Sequence, residues 1–205
     1  MQKTQIRLNM KTLLANLHGP VRHERSLRAC QHLASTKEFK AAQTVMIFLS
    51  TPTEIETSTL ALKAWEEGKS IAVPRVDWET EKMVPVEITS LDTGLQTVKF
   101  GLKEPLEGKV VPLDFIDLVV IPGMAFDRRG YRVGRGRGFY DRFLAEKDFA
   151  GVRCGLCFHE QLLREVPAEG HDVPMDVVVT DAEVVHFSRS GRKEGPEMAR
   201  VEEKD

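Results

Sequence analysis

Cysteine is scarce in this chain. Three occur in 205 residues, Cys30, Cys154 and Cys157. An odd count behind an amino terminus without a secretory pattern argues against a disulfide framework and for a reducing, cytosolic setting. Long apolar runs are lacking too. The opening "MQKTQIRLNMKTLL" has no uninterrupted hydrophobic core, and no segment approaches the roughly 20 apolar residues that span a bilayer. Net charge is nearly absent at −2, which excludes the excess basicity of a general nucleic-acid binder. The P-loop pattern G-x-x-x-x-G-K-[ST] and the dinucleotide fingerprint G-x-G-x-x-G are both missing, and the six histidines form no ligand-spaced group. With 41% apolar and 29% charged residues, what is left is a soluble cytoplasmic protein able to hold its own core.

The hydrophobic pattern supplies the elements. Ile6, Met10, Leu13, Leu14 and Leu17 recur at three- and four-residue steps and predict a helix that Gly19 and Pro20 end. A second helix follows over Val21 to Ser35, with Val21, Leu27, Cys30 and Leu33 as its core positions. Short β-rich runs at "TVMIFLS", "SIAVPRV", "FIDLVVIP", "VRCGLCF", "DVVVTD" and "VVHFS" predict buried strands, and "FIDLVVIP" is the most continuous. "MVPVEI" and "LQTVKF" predict more exposed strands, the first kept near an edge by Pro85. Strands alternating with helical segments predict an α/β domain over 1–188, a largely parallel, mixed sheet flanked by helices on both faces. Residues 189–205, with ten charges in seventeen positions, predict a disordered tail.

The C-G-L-C spacing of Cys154 and Cys157 invites a zinc or redox reading. No second pair exists, and residues three apart on a strand face opposite sides, so both are expected in the core.

One stretch breaks the even charge distribution. "DRRGYRVGRGRGFYDR", Asp127 to Arg142, holds six arginines and four glycines against two acids. Gly134, Gly136 and Gly138 let successive amides turn toward one ligand at positive φ, and the helix expected over Phe139 to Lys147 aims its positive end at the same place. Arginine's planar fork matches phosphate, and the loop follows a buried strand, where open α/β sheets bind ligands. Two other readings stay open on local chemistry: a strand-to-helix turn with its arginines in solvent, and an RGG-type RNA-binding box.

"FDRRGYRVGRGRGFYDRFL", Phe126 to Leu144, resembles the signature of the 5-formyltetrahydrofolate cyclo-ligases, close to F-D-x-x-G-x-R-L-G-x-G-x-G-Y-Y-D. "KTQIR", "FLSTPTEIET" and "HDVPMDVVVT" agree with that family in order and spacing, so the resemblance spans all but the tail. Val133 and Phe139 depart from it, and Phe139 replaces a tyrosine and loses its hydroxyl.

The resemblance implies a ligase using ATP and Mg²⁺ on 5-formyltetrahydrofolate, with small-molecule substrates, no nucleic-acid or membrane partner, and a monomer or weak homo-oligomer. A catalytically idle relative that binds nucleotide or folate is the alternative. It implies that Lys3, Arg7, Arg132, Gly134, Arg135, Gly136, Arg137, Gly138, Phe139 and Tyr140 surround ATP. Arg135, Arg137 and Tyr140 would serve the reaction. Leu49, Glu54, Arg135 and Phe139 would hold the folate, with Glu54 accepting from the pterin edge, and Asp141 and Asp176 would hold the metal. Among these, Lys3 and Arg7 lie four apart on one helical face, which lets both point at one anion.

Overall fold

The computed structural model describes residues 2–188, so the tail expected over 189–205 lies outside the described residues. Helices α1 (Lys3–Ala15), α2 (Gly19–Ser35) and α3 (Lys37–Ala41) precede strand β1 (Thr44–Met46), and α4 (Ser58–Glu66) leads into β2 (Ser70–Asp77) and β3 (Lys82–Ile88). Next come β4 (Leu95–Thr97), β5 (Lys103–Pro105), β6 (Leu118–Ile121), β7 (Ala125–Asp127) and β8 (Arg132–Val133). Helix α5 (Phe139–Leu144), β9 (Val152–Leu156), β10 (Leu162–Leu163), β11 (Val177–Val179) and β12 (Val184–His186) complete the chain.

Seven strands form one sheet in the order β12-β11-β9-β6-β1-β2-β3. The five inner strands run parallel, and the two edges, β3 and β12, are antiparallel to their neighbours. From β1 the chain first builds outward to β2, then returns to place β6 on the other side of β1, so the winding reverses between β1 and β6. In open α/β sheets the crevice at the carboxyl ends of such a pair is the usual ligand site.

Period-2 alternation sorts the strand residues between two cores. Val45, Leu118, Val120, Cys154, Val177 and Val179 pack with α2, α3 and α4 through Leu33, Phe39 and Leu60. Met46, Val119, Ile121 and Val178 pack on the opposite face with Phe126 and with Phe143 and Phe149, whose rings lie 5.5 Å apart. Cys154 and Cys157 fall in different cores, as the strand argument requires, and burial pushes both thiols up. Cys30 is likewise pushed up to about 11 by burial, and all three thiols are free, buried core residues. A third cluster joins Ile6 and Met10 of α1 to Ala125 and Val133, which docks α1 on the ribbon formed by β7 and β8.

Several expectations shift. Val21 is exposed, and Ser26 and Ala29 take the buried positions of α2 instead, because its apolar stripe is rotated toward the helix's small residues. β3 lies at the edge as Pro85 requires but is mostly buried, since the Lys109 carbonyl and Val111 amide cover its outer side. "LQTVKF" is a strand only over Leu95–Thr97, paired with β5 in a separate two-stranded sheet.

Candidate active site

A cavity of about 750 Å³ opens at the predicted end of the sheet, within the range of about 300–1,000 Å³ usual for small-molecule sites. Phe48 and Leu49 reach it from the carboxyl end of β1, and Pro122 and Gly123 from that of β6, so it sits at the reversal in strand order. Its two sides differ in chemistry. The arginine loop and α1 make a cationic wall, whereas β2, β3 and the segment entering β5 contribute Pro74, Val76, Met83 and Leu102.

α1 supplies Lys3 and Arg7 from one face, and both line the cavity. Lys3 Nζ lies 2.7 Å from Asp172 Oδ2 and 3.0 Å from Glu169 Oε1, and Arg7 Nε donates to the Gly134 carbonyl at 2.8 Å. This bond ties α1 to the loop. Gly136 and Gly138 adopt φ of 103° and 68°, which favours glycine, and the Arg7 guanidinium sits 3.6 Å from where a Cβ on Gly136 would be.

The arginines of the loop are not equivalent. Arg132 is buried, with its side chain 4% exposed; Nη2 meets Asp141 Oδ1 at 2.8 Å and Nη1 donates to the Val173 carbonyl. Arg135 is half in solvent, at 54% exposed, and forks onto Glu54 Oε1 at 2.9 Å while touching Thr51 Oγ1 at 3.0 Å. Glu54 Oε2 accepts from the Thr51 amide, so this acid also closes the turn after β1. Arg137 is exposed on the cavity rim, and its carbonyl accepts from Arg142. Arg142 lies over the Phe139 ring, 5.3 Å from its centroid.

Tyr140 sits between the Glu54 and Arg132 charges. Burial, reinforced by Glu54 and opposed by Arg132, pushes its phenol up, leaving a neutral hydroxyl as a donor at physiological pH. Phe139 meets Trp78 edge-on, with centroids 5.4 Å apart and planes at 82°. The pair links the loop to the apolar wall.

Three expectations are corrected by this geometry. Asp176 does not join Asp141: it lies just before β11, at the amino ends of the parallel strands, and the cavity is at their carboxyl ends. Its oxygens are held by Arg153, at 2.9 Å and 3.1 Å from the guanidinium and 2.8 Å from the amide, and it faces a smaller hollow beside His186. Gly134 does not have positive φ and contributes a carbonyl acceptor rather than an amide turned inward. α5 ends at Leu144, so with six residues it brings little of the axial dipole expected of a longer helix.

Other cavity residues escaped the sequence reading. Trp78 and Glu104 lie in stretches assigned to no element, Met83 in the strand expected to be more exposed, and Asp172 in the stretch matched to the family without a role of its own. An aromatic in a turn between two β-rich runs was the one local signal available. Among the described residues no group of three His, Cys, Asp or Glu side chains is arranged to enclose a metal. Asp141, with its carboxylate 21% exposed on the cavity wall, is suited to a cation shared with a ligand.

Comparison with known proteins agrees with the geometry. The family model described as the 5-formyltetrahydrofolate cyclo-ligase family matches residues 1–181. The Haemophilus influenzae 5-formyltetrahydrofolate cyclo-ligase is 31% identical over 184 residues, covering 87% of this chain and 97% of that protein. The mouse enzyme of the same name is 28% identical over 187 residues, covering 86% and 92%. The solved structure of Aquifex aeolicus 5,10-methenyltetrahydrofolate synthetase superposes with a TM-score of 0.80 at 30% identity, covering 98% of this chain and all of that one. A Mycoplasma pneumoniae synthetase, at 18% identity and a TM-score of 0.72 over 88% of this chain and 99% of its own, shares the fold. On the match from residue 1 to 181 and on these relatives, the chain belongs to the 5-formyltetrahydrofolate cyclo-ligase family.

Proposed function

We propose that this cyclo-ligase converts 5-formyltetrahydrofolate to 5,10-methenyltetrahydrofolate with ATP and Mg²⁺, releasing ADP and phosphate through a phosphorylated formyl intermediate. The observation that carries the reading is the facing of a cationic, glycine-bearing wall and an apolar wall across one cavity. Such a cavity suits a triphosphate on one side and a flat heterocycle on the other.

A formyl amide oxygen is a poor leaving group. Transfer of the γ-phosphoryl to it makes the oxygen expellable as phosphate; the secondary aniline nitrogen attacks the formyl carbon, the C–O bond breaks, and the nitrogen's proton passes to solvent. Phosphoryl transfer asks the protein chiefly for positioning and charge neutralisation. Arg135 and Arg137 are exposed enough to turn onto the transferring group, while Arg132, fixed by Asp141, supplies a charge that does not move. Lys3 and Arg7 bring α1's charges to the same phosphates, and the Gly136 and Gly138 backbone lets the chain approach closely. Tyr140 donates its hydroxyl within the cavity. Leu49 and Phe139 flank the folate, and Glu54 accepts from its donors when Arg135 turns to phosphate.

Mg²⁺ fits Asp141, because this ion keeps several waters and shares itself with phosphates, needing only one or two carboxylates. When bound it neutralises phosphate charge. Asp176 has no part in this reading.

Incubation with 5-formyltetrahydrofolate tests the reaction through the near-ultraviolet absorbance of the methenyl product. Product should form only with ATP and Mg²⁺ together. Absence of product in that complete mixture would overturn the proposal.

A further inference from the structure

One cavity side chain keeps a buried oxygen without a hydrogen bond. Glu104, on β5, is 5% exposed and lines the cavity beside Val76, Trp78 and Leu102. Its Oε1 is buried without a hydrogen bond, and no ion pair reaches it among the described residues. The Val76 amide bonds the carboxylate, Arg75 contributes charge from a distance, and burial nonetheless pushes the group above its ordinary range. An acid left this way is costly, because a buried acceptor forfeits its water without replacement. Val76, Trp78 and Leu102 line the cavity with it, and the Val76 amide is the one donor recorded on the carboxylate, so Oε1 keeps its cost.

The other carboxylates facing the cavity have protein donors. Glu54 takes Arg135 and the Thr51 amide, Asp141 takes Arg132, Asp172 takes Lys3 and the Glu169 amide, and the Glu169 side chain takes Lys3. Among the described residues Glu104 alone of these carries a buried oxygen with none. A phosphate-bearing ligand would be repelled there. A flat ring carrying N–H donors would fit, its faces against Val76 and Trp78 and its donor edge on the acid.

We propose that Glu104 is a specificity-determining residue whose Oε1 accepts the ring N–H donors of folate's aminopyrimidinone. The assignment rests on the folate reading above and extends it, placing the heterocycle against β2, β3 and β5 and leaving Glu54 at the junction with the arginine loop.

Equilibrium binding without turnover separates the two ideas. Binding of 5-formyltetrahydrofolate, of an N3-methyl analogue that lacks one ring donor, and of a non-hydrolysable ATP analogue is measured on the wild type, Glu104→Gln and Glu104→Met. Glu104→Gln keeps the shape and an acceptor for the Val76 amide but turns an NH₂ toward the ring donors. Loss of a bond to a charged acceptor is expected to weaken folate about 10- to 100-fold. The nucleotide analogue should change less than about twofold, and the N3-methyl penalty seen in the wild type should vanish in both variants. Both variants should melt no lower than the wild type, because they remove an unsatisfied buried charge; an acid that serves only the fold would lower the melting temperature. Wild-type protein that fails to bind folate overturns the folate reading and this assignment with it. Folate binding that survives both substitutions unchanged, or nucleotide binding that falls instead, overturns the role of Glu104 alone.

Discussion

Replacing Asp141 by asparagine isolates the one ion pair in the site that the fold cannot spare. The Arg132 side chain is 4% exposed and its Nη2 lies 2.8 Å from Asp141 Oδ1, with the Val173 carbonyl as its other acceptor. Burial already holds Arg132 below its ordinary range, and the charge and hydrogen bond of Asp141 work against that. Unit charges at this separation attract by about 6 kcal/mol at an effective dielectric near 20. Asparagine keeps an acceptor and loses the charge, and removing one partner of a buried pair costs about 3–5 kcal/mol. Because the carboxylate is 21% exposed, the lower end, about 3 kcal/mol, is expected. For a chain of this size that is a drop of about 6–12 °C in melting temperature. Urea unfolding followed by tryptophan fluorescence, without metal, reads the loss as a fall in midpoint at constant slope. The double variant Arg132→Met/Asp141→Asn should recover most of it, since no buried charge is left alone. A loss below about 1 kcal/mol in Asp141→Asn would refute the reasoning, because the acid would then be no counter-charge for Arg132.

Arg135 should behave in the opposite way. Its pair with Glu54 is half in solvent, so Arg135→Ala should cost less than about 1 kcal/mol in urea unfolding. Turnover should nevertheless fall more than tenfold, and unchanged kcat would remove Arg135 from the reaction. Glu54→Gln should raise KM for the folate more than KM for ATP; equal rises would leave Glu54 with only its turn-closing bond to the Thr51 amide. Acid stability depends on a different cluster, in which Arg25 binds Glu160 and Asp181. The Arg25 hydrogen bond holds Glu160 low; at Asp181 burial pushes upward and is outweighed by Arg25 and the His159 amide. Both folded values are depressed, so their stabilisation is present above about pH 4, the ordinary carboxylate range, and is lost as pH falls through the folded values. The urea midpoint should therefore drop between about pH 5 and 3, and Arg25→Gln should flatten that dependence; an equally steep profile in the variant would locate the acid sensitivity elsewhere.

The sheet was legible because its signal is local. Val45, Val119 and Val178 announce their faces through alternation, and Cys154 and Cys157 could be assigned to opposite cores from spacing alone. The loop was legible for a similar reason, since glycine and arginine carry their chemistry wherever the chain places them. Position along a strand is another matter. Asp176 and Asp141 both border buried elements, but only the direction in which β11 runs decides which end of the sheet Asp176 occupies. Glu104 and Trp78 were illegible because their wall is assembled from β2, β3 and a two-stranded sheet whose mutual packing has no signature in any one segment. Gly134 could not be told from its neighbours, as the partner of its carbonyl, Arg7, lies 127 residues away in sequence.

Under the proposed reaction, the pairing of the cations orders their work. Lys3, Arg7, Arg132 and Arg135 each already have an acceptor in the protein, so a triphosphate has to compete for them. Release is cheapest where the pair is wettest, because water replaces the lost partner. Arg135 can therefore leave Glu54 at little cost, and the vacated carboxylate gains substrate donors as the arginine gains phosphate. Arg132 cannot leave Asp141 on those terms, since its burial leaves no water to take the acid's place. The mobile charge thus couples the two substrates, while the immobile one keeps the loop in register for both.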